Sequence, residues 1–584
     1  MKLRPVLFVL LFAAAFSHSF AQSQGGWGDG EAAGQYVQWA EQAITEGRWA
    51  EALAALERAA DFAGVSSDVS YLLALARSHE RKSRGGILQA LDSAVEINRW
   101  VNYNAAQALL LKAEHLIGMH NYTEALAVLD QTGESAAFGA ADSAMLRLLA
   151  LRGLAADSAQ PSAAARFCSL AAAAMDRYPR DPRPLRIFFE YAHNKKPASS
   201  RLTESDLALA ELALRRLPFL LDADPDLAWM AAPFMRDTEA ARRAAAAYRA
   251  QAPRPSPGSI AAALNLGLLD DRDAVEELFG GFAANEERIL DKDIVVEIDG
   301  LLRSEEGRDF FTQKLLSFDG VISFNRDSCG YTESLVFYRS GVIREAVFDK
   351  NRAGVVDLRI LFGTDGVPVS AEQLIIGGGP AALVQWERYP SVQQVTLAHE
   401  VFLFRPADFQ FAPVGFIELG GSKNHAGLEY PAAGNTALTR RSLVSFCTSL
   451  RRPSVEFPGA EEQIFLERGI PRQAVETLDG KQVSVTEFER GAPVIQYLDF
   501  DLDGRMETIR RFRPPDQLQP GGQEDYEVTF DYRHLTASSE SDWTGGGNYK
   551  TGEVYLPDGS VVYSWDLDGG GTMNYSETKT GNEK

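Results

Sequence analysis

Two patterns of hydrophobic and polar positions divide the chain. From residue 32 to residue 317, alanine and leucine recur at spacings of three and four, which is the period of amphipathic helices. From residue 318 onward, β-branched and aromatic residues alternate with polar ones, and short turn sequences separate the runs. We therefore predict a multidomain protein with an all-α N-terminal half and a mainly antiparallel, all-β C-terminal half of repeated hairpins.

The most regular helical window contains two short helices joined by a tight turn at Gly47. Small residues at spacings of three and four share one face of each helix, and this lets the two helices approach closely. A second copy of the window lies 73 residues further along the chain. We expect the two copies to pack through Tyr36, Trp39, Ala40, Trp49, Ala52, Leu56, Ala59, Tyr122, Ala125 and Leu129.

These windows resemble tetratricopeptide (TPR) repeats, with Trp49 and Ala52 of the first copy matching Tyr122 and Ala125 of the second. The resemblance implies a TPR-like helical solenoid over residues 22–195, and further helices or a solenoid cap over residues 196–317. It also implies that the helical half holds a protein or peptide partner. An irregular helical bundle is the alternative interpretation.

Turn sequences and an internal repeat organise the β half. Asp-Gly pairs favour hairpins because such turns need positive φ. Six of them begin at Asp319, Asp365, Asp479, Asp503, Asp558 and Asp568. The segment that starts at Gly341 aligns without gaps on the segment that starts at Gly491, at an offset of 150 residues. We expect duplicated hairpins in two lobes, residues 318–450 and 451–584.

One acidic turn is a candidate metal site, since alternate carboxylates in a tight turn converge and a glycine at the sixth position allows the bend. Its residues are Asp499, Asp501, Asp503 and Glu507. The turn resembles the short calcium loops of integrin-like and dockerin-like repeats, and this resemblance implies Ca²⁺. The earlier copy offers Asp349, Asn351 and Asp357. The alternative is that aspartate and glycine are simply good hairpin residues.

Composition narrows the possible functions. The 584 residues carry a formal net charge of −22, which argues against nucleic acid as a partner. Three cysteines exclude a disulfide-dense scaffold, although Cys329 and Cys447 could pair. No G-x-S-x-G elbow, P-loop or H-E-x-x-H motif occurs, so we assign no catalytic residue and no cofactor apart from the candidate Ca²⁺. Enzymatic activity is left undecided and is not favoured.

Residues 1–21 have the pattern of a secretory signal. A positive start with Lys2 and Arg4 precedes an apolar run over residues 6–16, and the small residues Ser19 and Ala21 stand before the expected cleavage site. No later run reaches the length of a membrane span, so we expect no transmembrane segment after cleavage. We therefore predict export to the periplasm, the cell envelope or the medium.

The favoured function is an exported TPR-like interaction or scaffold protein of the cell envelope, with the β half as a further recognition or structural module. One alternative is a carbohydrate-binding or hydrolytic protein with its site in the β half. The aromatic residues considered for a sugar platform are Trp386, Tyr389, Trp543, Tyr549 and Trp565. The other alternative is a calcium-stabilised structural protein of the cell surface.

Overall fold

A computed structural model of the chain forms two compact units, residues 1–357 with 416–431 and residues 358–415 with 432–584. We call them the helical unit and the sheet unit. The structure describes residues 29–61, 66–80, 84–132, 139–157, 161–194, 203–252, 255–280, 289–325, 332–350, 352, 356–373, 381–434, 438–513, 536–542, 550–556 and 560–579. The predicted signal segment, residues 1–21, lies outside these ranges.

The first eight helices of the helical unit pack in consecutive pairs, α1 with α2, α3 with α4, α5 with α6 and α7 with α8. Their bounds are α1 Asp29–Thr45, α2 Trp49–Ala60, α3 Ser67–His79, α4 Arg84–Ile97, α5 Ala105–Gly118, α6 Tyr122–Gln131, α7 Ala140–Asp157 and α8 Pro161–Arg177. Helix α5 also packs on α7, so neighbouring pairs stack on one another. The predicted array of helix pairs is thereby confirmed.

Helices continue beyond the eight paired ones, and α9 packs on α7 while α10 packs on α8. Their bounds are α9 Arg183–Asn194, α10 Glu204–Arg216, α11 Leu227–Ala231, α12 Thr238–Gln251, α13 Pro257–Asn265, α14 Asp271–Gly280, α15 Lys292–Leu301 and α16 Glu305–Leu316. Among the described residues, no helix combines the length and the apolar character that crossing a bilayer would need.

Small residues explain how α1 and α2 approach each other. Ala40, Ala43 and Ala52 are fully buried between them. Gly47 adopts a φ of 74°, and the backbone N–H of Arg48 donates to the carbonyl of Ala43 at 2.8 Å, which ends α1 and starts the turn. The sequence therefore predicted this helical hairpin for the correct physical reason.

Most of the side chains predicted to pack the repeats are buried. The buried ones are Ala40, Ala52, Leu56, Ala59, Tyr122, Ala125 and Leu129. Tyr36 and Trp49 are half-buried, and the Trp49 ring stacks on His79 with 3.5 Å between the ring centroids. Trp39 is 53% exposed, so its predicted packing role is wrong. Its neighbour Ala40 occupies the inward position, and the helix turns the Trp39 indole outward.

Four strands follow within the helical unit. Strand β1 (Ile289–Asp291) runs parallel to β2 (Gly320–Phe324), and β2 pairs in antiparallel fashion with β3 (Ser334–Arg339), which pairs with β4 (Val342–Phe348). The Tyr338 hydroxyl donates to the carbonyl of Glu429 at 2.8 Å, so this small sheet is also tied to residues 416–431 of the same unit.

The sheet unit is a continuous antiparallel ladder. Strands β5 to β9 pair in order, β9 pairs with β12, and β12 to β21 again pair in order. The first bounds of the ladder are β5 Leu358–Phe362, β6 Pro368–Gln373, β7 Ala382–Arg388, β8 Ser391–Leu397, β9 Glu400–Leu403 and β12 Ser449–Pro453, with α17 Arg440–Phe446 before β12. Strands β10 Val414–Leu419 and β11 Leu428–Ala433 lie mostly within residues 416–431, which belong to the helical unit.

The second half of the ladder runs from β13 to β21, with consecutive strands paired in order. Its bounds are β13 Glu461–Glu467, β14 Ile470–Leu478, β15 Lys481–Glu489, β16 Ala492–Leu498, β17 Thr508–Phe512, β18 Thr536–Ser541, β19 Thr551–Tyr555, β20 Val561–Trp565 and β21 Tyr575–Lys579. Strands β10 and β11 form a separate two-stranded sheet. The fold class predicted from the sequence, helices followed by an antiparallel β half, is confirmed.

Several hairpins turn through two consecutive residues with positive φ. Asp479-Gly480 is one of the predicted Asp-Gly turns, with φ values of 50° and 79°. Arg468-Gly469, Arg490-Gly491 and Ser340-Gly341 adopt the same geometry without an aspartate. In each of these three hairpins, the register of the two connected strands shifts by one residue shortly before the turn. Aspartate is therefore not required at the first position, whereas glycine occupies the second position in all four turns.

Two left-handed glycines separate the effect of φ from that of close packing. Gly47 and Gly341 have φ values of 74° and 73°, but a Cβ on Gly341 would lie 2.1 Å from the carbonyl oxygen of Leu316, whereas a Cβ on Gly47 meets nothing within 4 Å. We expect Gly47→Ala to lower the free energy of unfolding by about 1–2 kcal/mol through φ strain. Gly341→Ala should cost about 3–5 kcal/mol because backbone must also move. Denaturant unfolding checks this, and equal losses would contradict it.

Candidate functional site

The acidic turn between β16 and β17 is held by its own carboxylates. Asp499 is 2% exposed, and its two carboxylate oxygens accept hydrogen bonds from the backbone N–H groups of Asp503 at 3.2 Å and Gly504 at 2.8 Å. Asp501 accepts a further bond from the N–H of Asp503 at 3.1 Å. Positive φ angles at Leu502 and Gly504 fold the chain around these acceptors.

Three of the four carboxylates predicted to bind a metal converge in this turn. One oxygen each from Asp499, Asp501 and Glu507 lies within 4.8 Å of the other two. One Glu507 oxygen accepts from the N–H of Phe500 at 2.6 Å, and the other is buried without a hydrogen-bond partner. Asp503 is outside the group, and its Oδ1 accepts from the N–H of Arg505 at 2.8 Å. The donor set is all oxygen, which suits a hard divalent cation such as Ca²⁺.

The same turn recurs 67 residues later. Asp566 is 3% exposed, and its carboxylate accepts from the N–H groups of Gly570 at 3.1 Å and Gly571 at 2.7 Å, while Asp568 accepts from Gly570 at 2.9 Å. Asn574 stands where Glu507 stands in the earlier turn, so an amide replaces the third carboxylate. Because the same bonds from backbone N–H groups to aspartate carboxylates occur in both turns, the aspartates stabilise the turn conformation itself.

The copy in the helical unit is less suited to a cation. Asp349 and Asp357 are each 7% exposed, and the predicted ligand Asn351 lies outside the described residues. Arg352 has a φ of 57° and pairs with Glu333 at 2.6 Å, and the charge of Asp357 acts on Lys350, whose pKa is lowered by burial. Among the described residues, these carboxylates do not belong to a converging group of three. Basic side chains surround this turn.

A buried polar face in the sheet unit was not predicted. Cross-strand pairing places Arg452 opposite Glu462, Glu462 opposite Glu476, and Glu476 opposite Ser484. Glu462 is 0% exposed and Glu476 is 1% exposed. The Arg452 guanidinium donates to Glu462 at 2.7 Å, and the Ser454 hydroxyl donates to Glu476 at 2.6 Å. Both carboxylates are thus accommodated by hydrogen bonds inside the protein.

A second buried row runs beside the first. The Arg510 guanidinium donates to both carboxylate oxygens of Glu456, at 2.7 and 3.0 Å, and to the Gln496 side chain at 2.8 Å. The Gln496 amide donates to Ser484 at 3.0 Å, which joins the two rows. Glu456 lies in the segment between β12 and β13, so this bidentate pair fixes that segment over β17.

The first part of the ladder has an apolar inner face instead. Ile360 on β5, Val384 on β7 and Val395 on β8 are all fully buried. Along its strand order, the interior of the sheet unit therefore changes from apolar side chains to a mixture in which buried polar residues stand beside apolar ones such as Ile464 and Leu498. Charge alone would place Glu462 and Glu476 on the solvent side of their strands. Each lies two residues from a buried apolar residue of its own strand, Ile464 or Ala474, and alternation therefore points it inward.

An acidic and aromatic surface crosses the first helices of the helical unit. The Tyr103 hydroxyl donates to Glu41 of α1 at 3.4 Å, and the Tyr103 ring lies 5.0 Å from Tyr71 of α3. Burial, together with the charge of Glu114 on α5, raises the pKa of Tyr71 to about 12. We call Glu41, Tyr103 and Glu114 the acidic helical face.

Two carboxylates on this face sit among protein atoms that disfavour their charge. Desolvation raises the pKa of Glu41 despite its bonds to Tyr103 and Asn102. Desolvation also raises the pKa of Glu114, although its side chain is reached by solvent. The charge of Arg84 opposes that rise and the charge of Asp142 adds to it. A cation brought to this face would stabilise both carboxylates.

The five aromatic residues proposed from the sequence as a sugar platform do not form one surface. Trp386 is 6% exposed and donates its indole N–H to the carbonyl of Phe411 at 2.9 Å, and Tyr389 donates to the carbonyl of Val414. These two are core residues. Trp565 is half-buried on β20. Trp543 and Tyr549 lie outside the described residues, as does Cys329, while Cys447 is a buried free thiol.

Comparisons with known proteins give relatives but no family. No family model matches the chain. An uncharacterized protein of Treponema pallidum is 22% identical over 657 residues, covering 93% of this chain and 78% of the relative. A tetratricopeptide repeat protein of Parabacteroides merdae is a structural neighbour with 12% identity and a TM-score of 0.32, covering 47% of this chain and 98% of the neighbour.

The buried polar face predicts a large difference between two ion pairs of similar length. Arg510–Glu456 is 2.7 Å long with both side chains less than one-fifth exposed, and Arg472–Glu467 is 2.8 Å long with both more than half exposed. We expect Arg510→Leu to lower the free energy of unfolding by about 3–5 kcal/mol, because it leaves a buried carboxylate uncompensated. Arg472→Leu should change it by less than about 1 kcal/mol. Urea unfolding measures both, and similar losses would refute the difference.

Proposed function

We propose that the protein is an exported interaction protein whose helical unit recognises a partner polypeptide. The observation that carries this proposal is the acidic helical face, where Tyr103, just before α5, is joined to α1 by a hydrogen bond and to α3 by a ring contact. Tyr103, which is partly exposed, supplies an aromatic ring to this face, and its hydroxyl donates to Glu41. Exposed aromatic residues beside polar groups are typical anchors of protein interfaces.

The charge of this face indicates the chemistry of the partner. Glu41 is half-buried and Glu114 is exposed, and the surrounding protein raises the pKa of both carboxyl groups. A lysine or arginine side chain of a partner would replace lost water with an opposite charge and a hydrogen-bond donor. We therefore propose a basic peptide segment as the ligand, in keeping with the net charge of −22. The buried carboxylates of the sheet unit already have internal partners and do not take part.

Export and the role of the sheet unit belong to the same proposal. The pattern of residues 1–21 supports export to the cell envelope or beyond. The sheet unit would then serve as a structural or second recognition module in that compartment. A hydrolytic role is disfavoured for the opposed pair Glu462 and Glu476, because both are almost fully buried.

A photoreactive phenylalanine analogue in place of Asn102, an exposed residue next to Tyr103 on the acidic helical face, tests this proposal. In intact cells it should cross-link to a partner with a basic segment, whereas the same analogue at the exposed Ala54 of α2 should not. Combining Glu41→Gln and Glu114→Gln should reduce the adduct at least about fivefold through loss of charge. Equal cross-linking from both positions would contradict the proposed face. A purely cytoplasmic partner would contradict export.

We propose Ca²⁺ at the acidic turn as a second function, favoured by the buried Glu507 oxygen that has no hydrogen-bond partner beside two other carboxylates. Asp499, Asp501 and Glu507 would hold the ion, with water or backbone carbonyls completing the six to eight oxygens that Ca²⁺ prefers. The bound ion would neutralise the like charges of this turn and so stabilise the junction of β16 and β17.

Calcium should stabilise the protein only while this group is intact. With a Kd of about 1 mM, 10 mM CaCl₂ adds about 1.4 kcal/mol to the free energy of unfolding. We expect the rise in melting temperature to disappear in Asp501→Asn. The control Glu489→Gln, which removes the same charge from an exposed position in the sheet unit, should keep it. No rise in the unaltered protein, or a rise that survives in Asp501→Asn, would disprove this site.

A further inference from the structure

The buried polar face becomes accessible at the last strands of the sheet. Register continues it from Thr508 on β17 to Ser541, Thr551, Trp565 and Tyr575, each opposite the next. Thr508 is 1% exposed, Ser541 is 8% exposed and Tyr575 is 51% exposed. The same face that is sealed at β13 therefore ends in contact with solvent at β21.

Three aromatic rings occupy this accessible end. The centroids of Tyr563 and Trp565 are 6.1 Å apart with 19° between the ring planes, and those of Trp565 and Tyr575 are 5.5 Å apart with 43° between the planes. Tyr563 and Trp565 are two residues apart on β20, and Trp565 lies opposite Tyr575 on β21, so all three rings are on one side of the sheet. We call these three residues the aromatic platform.

Polar groups stand beside the aromatic platform. Glu553 on β19 and Glu577 on β21 lie opposite Tyr563 from its two sides. The Tyr555 hydroxyl donates to Glu553, and the Lys579 ammonium lies 5.4 Å from the centre of the Tyr563 ring. The rings are thus bordered by hydrogen-bond acceptors on both neighbouring strands and by one donor.

We propose that the aromatic platform binds an extended glycan, with sugar rings stacked on Trp565 and Tyr575 and sugar hydroxyls bonded to Glu553 and Glu577. A pyranose ring has an apolar C–H side and a rim of hydroxyls, so it needs an aromatic surface with polar groups at its edge. Trp565 and Tyr575, with ring centroids 5.5 Å apart across the two strands, are spaced like neighbouring sugars of a straight β-1,4-linked chain. Tyr563 lies beside Trp565 along β20 and widens the surface. This is a function apart from the helical face and from the acidic turn.

The arrangement differs from a cage for a quaternary ammonium group. A cage surrounds the cation with ring faces on several sides, whereas these planes are inclined by 19° and 43°. Lys579 also brings positive charge to the edge of the platform, which would repel such a ligand. Cross-strand aromatic pairs that only stabilise the hairpin would contribute to unfolding free energy but bind no sugar.

Isothermal titration calorimetry of the full chain with cellohexaose and chitohexaose tests the proposal. We expect binding of at least one of them, weakened about tenfold or more by Trp565→Ala or by Tyr575→Ala. Trp565→Phe should retain most of the affinity because it keeps a stacking ring. Trp39→Ala, which removes an exposed indole from the helical unit, is the matched control and should leave the affinity unchanged.

Three results would overturn the inference. The first is failure of both oligosaccharides to bind at concentrations up to about 10 mM, which corresponds to a binding free energy weaker than about 3 kcal/mol. The second is affinity that survives both alanine substitutions, and the third is binding of phosphocholine in place of the sugars. Tyr575→Ala removes a side chain that is 51% exposed, so it provides a folded variant even where Trp565→Ala disturbs β20. Melting curves of each variant establish that the compared proteins are folded.

Discussion

Strand register is the constraint on which the sheet unit depends. Because side chains alternate between the two sides of a strand, a slip by one residue would exchange the inner and outer faces of every following strand. Such a slip would carry Glu462 and Glu476 to the surface and bring exposed residues such as Phe465 inside. The glycine turns at Gly469, Gly480 and Gly491, each with positive φ, fix the register hairpin by hairpin. The polar face and the aromatic platform both follow from that alignment.

The sequence predicts more of the structure of the helical half than of the sheet half. Periodicity was sufficient for the helix pairs, because burial of small residues such as Ala40 and Ala52 follows directly from their spacing. The outward position of Trp39 does not follow from the spacing, because a large apolar residue next to the inward Ala40 fits the packing pattern equally well. The turns at Arg468-Gly469 and Arg490-Gly491 lack the aspartate of the Asp-Gly signal, so that signal does not predict them.

The candidate sites were predictable only in part. The acidic turn could be proposed because its carboxylates are close in sequence. The structure brings Asp499, Asp501 and Glu507 together, whereas the Asp503 carboxylate accepts a hydrogen bond from the backbone N–H of Arg505. The pair formed by Arg510 and Glu456 joins residues 54 positions apart, and no local pattern reveals such a contact. Buried charges of this kind appear only once the register of several strands is known.

Neighbour-by-neighbour pairing has a consequence for how the sheet unit forms. Nearly every strand of the ladder pairs with the one before and the one after it, and the main exception, β9 with β12, spans 45 residues between Leu403 and Thr448. Local pairing involves short loop closures and so a low entropic barrier. Each hairpin can therefore add to a finished edge as the chain emerges, and assembly can proceed in the direction of synthesis.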